Sequence, residues 1–514
     1  MRTISLGAAT LVAALSATTL AQANTLQVGP GKTFATPCDA IAAAMPGDRV
    51  EVDPGTYTDT CSIGVQGLTL IGVGGRPKID VSAGTPSGQK GIYVIDADDV
   101  TIENFELTGA QVDLGAGEDA AGVRVEAGNF TIRGCFIHDN QDGILATPGT
   151  LSSLLTVESN EFSGNGRGNG CDDPNAGCTH NIYVSSNNDK VVFQYNWSHS
   201  LAMDTPDKGH LFKSRANQSF VLYNRLTGEG DTDSYEIDIP NGGLAVIVGN
   251  MVEKPASSGN GTLIAYAEEG LSNPDNRIFV VNNTLVNDKG GGTFIGVSSG
   301  TLVAHNNLLV GPGTPSSTGA LSADNLATMT PGFVDQAGFD YHLLAGSPAI
   351  DVGVDPGSAD AFSLTPTDEY VQPTSHVARG VVGALDLGAF EFGTDTMGTG
   401  GGSPAGAGGG TATGTGTGTT TGSSTGPGSA TGVGTGTGTG AGTGPGAGSG
   451  GAGAGAGGSG SGDSAQDTGG CGCRIAADEH TSAPFFASIA LALAALARGR
   501  RRTSYLAARQ RGER

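Results

Sequence analysis

Eight short segments of this chain echo one another, and no other property restricts its fold so tightly. They read VTIENFEL (100–107), FTIRGCFI (130–137), LLTVESNEF (154–162), VVFQYNWS (191–198), SFVLYNRL (219–226), AVIVGNMV (245–252), IFVVNNTL (278–285) and LVAHNNLL (302–309). Each alternates apolar and polar residues, then usually places an asparagine, then another apolar residue. The asparagines are Asn104, Asn160, Asn196, Asn224, Asn250, Asn283 and Asn307. A second strand-like segment precedes each, among them HNIYVSS (180–186), HLFKSR (210–215), YEIDI (235–239) and TLIAYAE (262–268). Period-two alternation without helical periodicity, repeated many times, predicts an all-β solenoid of stacked parallel strands. Stacked coils place equivalent residues about 4.8 Å apart. An asparagine at a fixed corner can then hydrogen-bond its copies above and below, and it tolerates the left-handed backbone of a tight bend. The asparagine column is therefore read as structural.

These repeats resemble those of right-handed parallel β-helix proteins, the architecture of pectate lyases and many other polysaccharide-active enzymes. The resemblance runs from about Gly29 to Phe392 and implies a right-handed single-stranded parallel β-helix domain over 24–392. TFATPCDAIAAAMPGDRVEVDPGTYTD (33–59) resembles the entry of such a helix, a short amphipathic capping helix followed by a first coil. DYHLLAGSPAIDVG (340–353) and DLGAFEF (386–392) resemble closing coils. Caps are expected because an open coil end exposes unpaired strand edges.

The two ends of the chain differ from this domain. Residues 1–23 read as a secretory signal: Arg2, an apolar run from Leu6 to Leu20, and a small-x-small site at Ala21–Ala23. Residues 393–470 are a Gly/Thr/Ser-rich tract without apolar periodicity, expected to be a disordered tether. In 471–514, GCGCR precedes a short apolar run and an arginine cluster. This tail resembles the C-terminal sorting signals of myxobacterial surface proteins, which implies that Cys471 or Cys473 is the anchoring residue. A degenerate membrane anchor is the alternative. Either way the domain is expected outside the cell, at its surface and exported through the Sec pathway. Contact with a membrane is expected only through the tag.

The formal net charge is -24, from 26 Lys+Arg against 50 Asp+Glu. Such a surface repels phosphate backbones, so nucleic acid is excluded as a partner. A monomer is expected. Export permits disulfides. Cys171 and Cys178 flank the turn-rich DDPNAG, and Cys38 and Cys61 bracket the first strands; each is a candidate pair. Cys135, inside an apolar strand, reads as a buried thiol. No nucleophile elbow, Walker loop, zinc motif or dinucleotide fingerprint is present.

Within this acidic chain, KGHLFKSRAN (208–217) is a basic island. A β-helix core is apolar, so charged residues fix which parity faces out. Lys213 and Arg215 then share an outward face, and Glu236 and Asp238 face out one coil later. His210 and His180 start neighbouring strands, and Glu268 ends the strand after. Tyr183 and Tyr235 lie in the same region, as do Tyr195, Tyr223, Tyr266 and Trp197. One reading is catalytic. Lys213 would be a base, Arg215 and His210 would handle a uronate carboxylate and leaving group, and His180, Tyr183 and Tyr235 would bind sugar. Glu236, Asp238 and Glu268 would hold calcium, the one cofactor considered. The other reading is structural, with Lys213 and Arg215 simply paired to Glu236 and Asp238. KSRAN followed by FVLYN is similar to the β-helix lyases that act on alginate and dermatan sulfate, which implies Lys213 as base. The chain departs from them where their calcium ligands precede the lysine, since it has PDKGHLF there. The expected partner is an acidic polysaccharide or surface glycan, cleaved by β-elimination. The alternatives are a non-catalytic glycan-binding or adhesion protein, and hydrolysis by paired carboxylates.

Overall fold

The computed structural model describes residues 23–112, 120–166, 180–202, 209–229 and 233–393. The signal segment 1–22, Cys171 and Cys178, the Gly/Thr-rich tract and the tail with Cys471 and Cys473 lie outside the described residues.

Each repeat segment forms two strands rather than one. The first coils show why. Val100–Glu103 ends where Asn104 takes a left-handed backbone (φ 57°), and Glu106–Thr108 leaves in a new direction. A third strand, Ala121–Val125, completes the turn. Among the described residues, stacking the coils builds three parallel sheets of 11, 11 and 10 strands. The first sheet carries strands such as Val100–Glu103, the second those such as Glu106–Thr108, and the third those such as Ala121–Val125.

The register aligns like with like. In the first sheet Val50, Leu70, Ile102, Ile132, Val157, Phe193, Val221, Ile247 and Val280 form one inward column. All are buried. Each contributes roughly 1.5–3 kcal/mol by leaving water. A one-residue slip would turn every one of them outward, so the alternation itself locks the register.

The asparagine column exists, with a correction. Nδ2 of Asn160 donates to Oδ1 of Asn196, and the chain continues through Asn224, Asn250, Asn283 and Asn307 to Asn325 at 2.8–3.1 Å per step. Each Oδ1 also accepts the backbone N–H of the asparagine one coil earlier. The left-handed residue, however, is the one before the asparagine: Ser159, Tyr195, Tyr223, Gly249, Asn282 and Asn306 all have positive φ. Asn104 sits in that slot and caps Gly72 and Gly75 carbonyls instead. Buried Cys135 takes the ladder position before Asn160, its N–H donating to Asn160 Oδ1. A second ladder, Asn140–Asn165–Asn181, lines another buried corner.

At the N-terminal end the helix Pro37–Ala43 buries Ala40 and Ile41, with Thr36 capping Asp39 N–H. Cys38 and Cys61 are joined in a disulfide, Cα–Cα 5.9 Å, which ties this helix to the third sheet's first strand.

The segments read as closing coils do something different. Residues 333–393 contain three antiparallel hairpins, not coils. They lie along the sides of the solenoid. Phe333, Tyr341, Tyr370, Leu387 and Phe390 pack on Met251, Val286, Leu308 and Val310 of the second sheet. Ala359, Leu364 and Phe362 pack on Phe220, Leu244, Val246 and Phe279 of the first. Apolar residues on the outward faces of those two sheets demanded this cover. Among the described residues, this segment makes no such apolar packing on the third sheet.

Candidate functional site

The outward column of the third sheet changes character along the solenoid. It runs Val94, Arg124, Leu145, Tyr183, Lys213, Asp238, Ala265, Gly296. Three strands supply its polar centre: Ile182–Val184, Phe212–Ser214 and Ile237–Ile239. Their flanking residues Phe212, Ile237 and Ile239 enter the core, and this forces Lys213 and Asp238 outward onto neighbouring coils.

Lys213 Nζ lies 3.1 Å from Asp238 Oδ2. His210 Nε2 approaches the same oxygen at 3.3 Å. Lys213, His210 and Asp238 are each no more than 2% exposed, so this outward patch is closed to solvent. Burial raises the Asp238 carboxyl against the opposing pull of Lys213. A buried pair of this kind is favourable only while both partners stay.

The histidines form a stack. The rings of His180 and His210 lie 4.8 Å apart and that of Tyr235 follows at 5.1 Å. His180 Nδ1 accepts the His210 N–H, and His210 Nδ1 accepts the Tyr235 N–H. An Nδ1 that accepts leaves the proton of a neutral imidazole on Nε2. Burial, reinforced by the charges of Lys213 and Arg215, holds both histidines well below their ordinary range and therefore neutral. His210 thus presents Nε2–H toward Asp238. Tyr235 is the half-buried end of the stack. Tyr183 is buried, 5.8 Å from His180 and 6.0 Å beneath the Arg215 guanidinium.

Arg215 and Glu236 depart from expectation. Arg215 makes a bidentate pair with Glu269, at 2.6 and 2.8 Å, and also reaches Asn241 Oδ1. Glu236 does not share the face of Asp238. It precedes its strand at a corner, where the chain turns it inward, and Lys254 Nζ meets its Oε1 at 2.8 Å with both side chains fully buried. The strand that forms begins at Ile237, one residue later than charge parity implies, so Glu236 falls on the corner. Lys254, from a strand of the second sheet, makes the buried glutamate tolerable. Glu268 stays near the patch: burial first, then the Asp238 charge, pushes its carboxyl up to about 8. Because Glu236 is turned away, the three carboxylates considered for calcium do not converge. Among the described residues no group of three His, Cys, Asp or Glu could hold a metal.

The remaining aromatics serve packing. Tyr195 and Tyr223 stack on each other, with Tyr195 also on His376 of the C-terminal hairpin. Tyr266 is in the core, its hydroxyl donating to the Gly243 carbonyl. Trp197 stacks on His199 under Arg225.

Residues 66–246 match the family model described as right handed beta helix region. No curated protein matches the chain. Among solved structures, pectate lyase Pel9A is similar at 15% identity, covering 72% of this chain and 96% of its own, with a TM-score of 0.51. A rhamnogalacturonan lyase is similar at 12% identity over 61% of this chain and 91% of its own, TM-score 0.41. An alginate lyase from Paenibacillus sp. str. FPU-7 gives 11%, 59%, 99% and 0.30. The described domain is a right-handed parallel β-helix.

Proposed function

We propose that this protein acts on an acidic polysaccharide along the outer face of its third sheet, by β-elimination. The observation that carries the reading is the Lys213–Asp238 pair, set among His210, Tyr183, Arg215 and Glu268, on the sheet face that the C-terminal segment does not pack against. Elimination needs a base for the proton next to the uronate carboxylate, a cation for that carboxylate, and an acid for the leaving oxygen. Lys213 is the base. Arg215 meets the substrate carboxylate. Glu268, pushed up to about 8, carries its proton at neutral pH and serves the leaving oxygen. His210 is a positioning residue acting through Asp238, and Tyr235 offers a ring for stacking on sugar. The face must open for a polymer to reach Lys213. The export signal and tail would present it outside the cell, and the net charge of -24 means that added salt should aid encounter with a polyanion.

Hydrolysis is the second reading, favoured by two carboxyls, Asp238 and Glu268, both raised by burial, with the Asp238 charge adding to the rise at Glu268. The test is a screen of alginate, pectate and glycosaminoglycans for unsaturated-product absorbance and for reducing ends. Elimination gives both signals, and Lys213→Ala loses them. Reducing ends without the absorbance point to hydrolysis. If no polymer turns over and Lys213→Ala binds glycans as the wild type does, the protein is a binding module and the enzymatic reading fails.

A further inference from the structure

The N-terminal end of the solenoid holds a cleft that the site above does not use. Thr56–Tyr57 is the first strand of the second sheet and pairs with a neighbour on one side only. The loop 29–36 faces it across a cleft of about 680 Å3, a size that holds small ligands. The walls are tied in place. Gly29 N–H donates to the Phe34 carbonyl and Phe34 N–H to that of Gln27, at 3.0 and 3.1 Å. Phe34 packs on the core, and the Cys38–Cys61 disulfide pins the helix that follows. Tyr57 lines the cleft, its hydroxyl donating to the Asp53 carbonyl at 2.9 Å, which fixes the ring. Gly55 stands above that ring: a Cβ there would lie 3.6–3.7 Å from Cε2, Cζ and the hydroxyl oxygen. Neither backbone nor packing asks for glycine at 55. Its φ lies outside the left-handed region, and a Cβ would meet only ordinary contacts. Gly29 differs, since a Cβ there would come within 2.6 Å of Asp53 Oδ2. Glycine is the costliest residue to order, so its place at 55 wants a reason. Its effect is to leave one face of Tyr57 uncovered.

We propose that this cleft binds one unit of an acidic sugar, a hexuronate, with its ring on Tyr57 and its carboxylate on Lys32. Lys32 is the one charged residue among those lining the cleft, in a chain of net charge -24. Its ammonium stands 3.8 Å from Asp53 Oδ2, too far for a hydrogen bond, so Asp53 steadies it while its donors stay available. A carboxylate that accepts from an ammonium makes a strong, charge-assisted bond. Thr33, Thr56 and Thr58 place hydroxyls on the same cleft, each able to donate to and accept from sugar hydroxyls. An open aromatic face, hydroxyls and a single cation together suit a hexuronate. A phosphate would leave the ring without a role, and an uncharged sugar would leave Lys32 without one. The third sheet begins at this end with Cys61–Ile63, and Phe212–Ser214 lies five strands further on, about 24 Å along the axis. The cleft is thus separate from Lys213 and holds chain rather than cutting it. This deepens the reading of an acidic polysaccharide as partner and rests on it for the class of sugar.

Hydrogen–deuterium exchange on the full-length protein reads the cleft locally. Millimolar trigalacturonate or trimannuronate should slow exchange in peptides covering 29–36 and 54–58, and maltotriose, uncharged and of the same length, should not. Gly55→Leu lays a side chain on the Tyr57 face without backbone strain and should abolish that protection. Lys32→Met, at the surface, should raise the trimer concentration needed for it about tenfold or more. Both variants should keep the wild-type circular dichroism and the wild-type turnover of polymer. Absence of protection with both acidic trimers would overturn the proposal. So would protection that survives Gly55→Leu, or equal protection by maltotriose. The readout is independent of catalysis. If the cleft is protected and no polymer turns over, the elimination reading fails and the cleft stands. If polymer turns over and the cleft is unprotected, the cleft alone fails.

Discussion

Replacing Lys213 by methionine tests whether the outer patch is a coupled buried pair or an incidental contact. At 3.1 Å the gross attraction to Asp238 is about 5 kcal/mol at an effective dielectric of about 20. Removing one partner strands the other charge, and such breaks cost roughly 3–5 kcal/mol. Replacing both, as Lys213→Met with Asp238→Leu, should recover most of that loss, because neither desolvation penalty remains. The assay is equilibrium urea unfolding followed by far-ultraviolet circular dichroism for the wild type, both single variants and the double variant. The coupling should be about 2 kcal/mol or more. Acid should shrink the loss in Lys213→Met, because the stranded carboxyl can take a proton and His210 no longer faces the Lys213 charge that helps hold it neutral. The double variant also separates fold from chemistry, since it should be folded and unable to cleave polymer. A coupling below about 0.5 kcal/mol, the level of an exposed pair, would refute the argument.

Other outcomes follow from the same structure. Asn224→Leu in the ladder removes a carboxamide that bonds Asn196, Asn250 and the Phe193 carbonyl, and should cost about 3–5 kcal/mol in urea unfolding. Asn104→Gly, outside the ladder and already left-handed, should cost about 1 kcal/mol or less. Glu268 has its folded value raised, so its contribution is complete below the ordinary 4.5 and is lost as pH rises through about 8. Glu268→Gln should therefore gain on the wild type between those values, by at most about 5 kcal/mol. His180 and His210 are depressed, so the unfolded chain binds their protons first. Their effect should appear as stability lost when pH falls below about 6.5, and His210→Gln should flatten that slope in pH-dependent unfolding. Losing the Cys38–Cys61 bond, which spans 23 residues, should cost about 3 kcal/mol under reducing conditions.

Sequence alone determined the solenoid. Alternating residues at a near-regular interval can bury one face only by stacking coils, and asparagines at a matching interval need partners one coil away. It also placed Lys213 beside Asp238, since Phe212, Ile237 and Ile239 had to enter the core. The left-handed residue escaped it, because strand and corner share one apolar pattern and composition does not show where φ changes sign. So did Glu236 and Arg215. Their partners, Lys254 and Glu269, lie on other strands, and which carboxylate meets which cation depends on where a three-residue strand begins. The C-terminal segment was legible as distinct, yet not as a side cover, because that required knowing which sheet faces were left apolar. Local pattern fixes the period and the parity of a coil. Only the packed coils decide which long side chains, free to swing through several ångströms, find each other out of water.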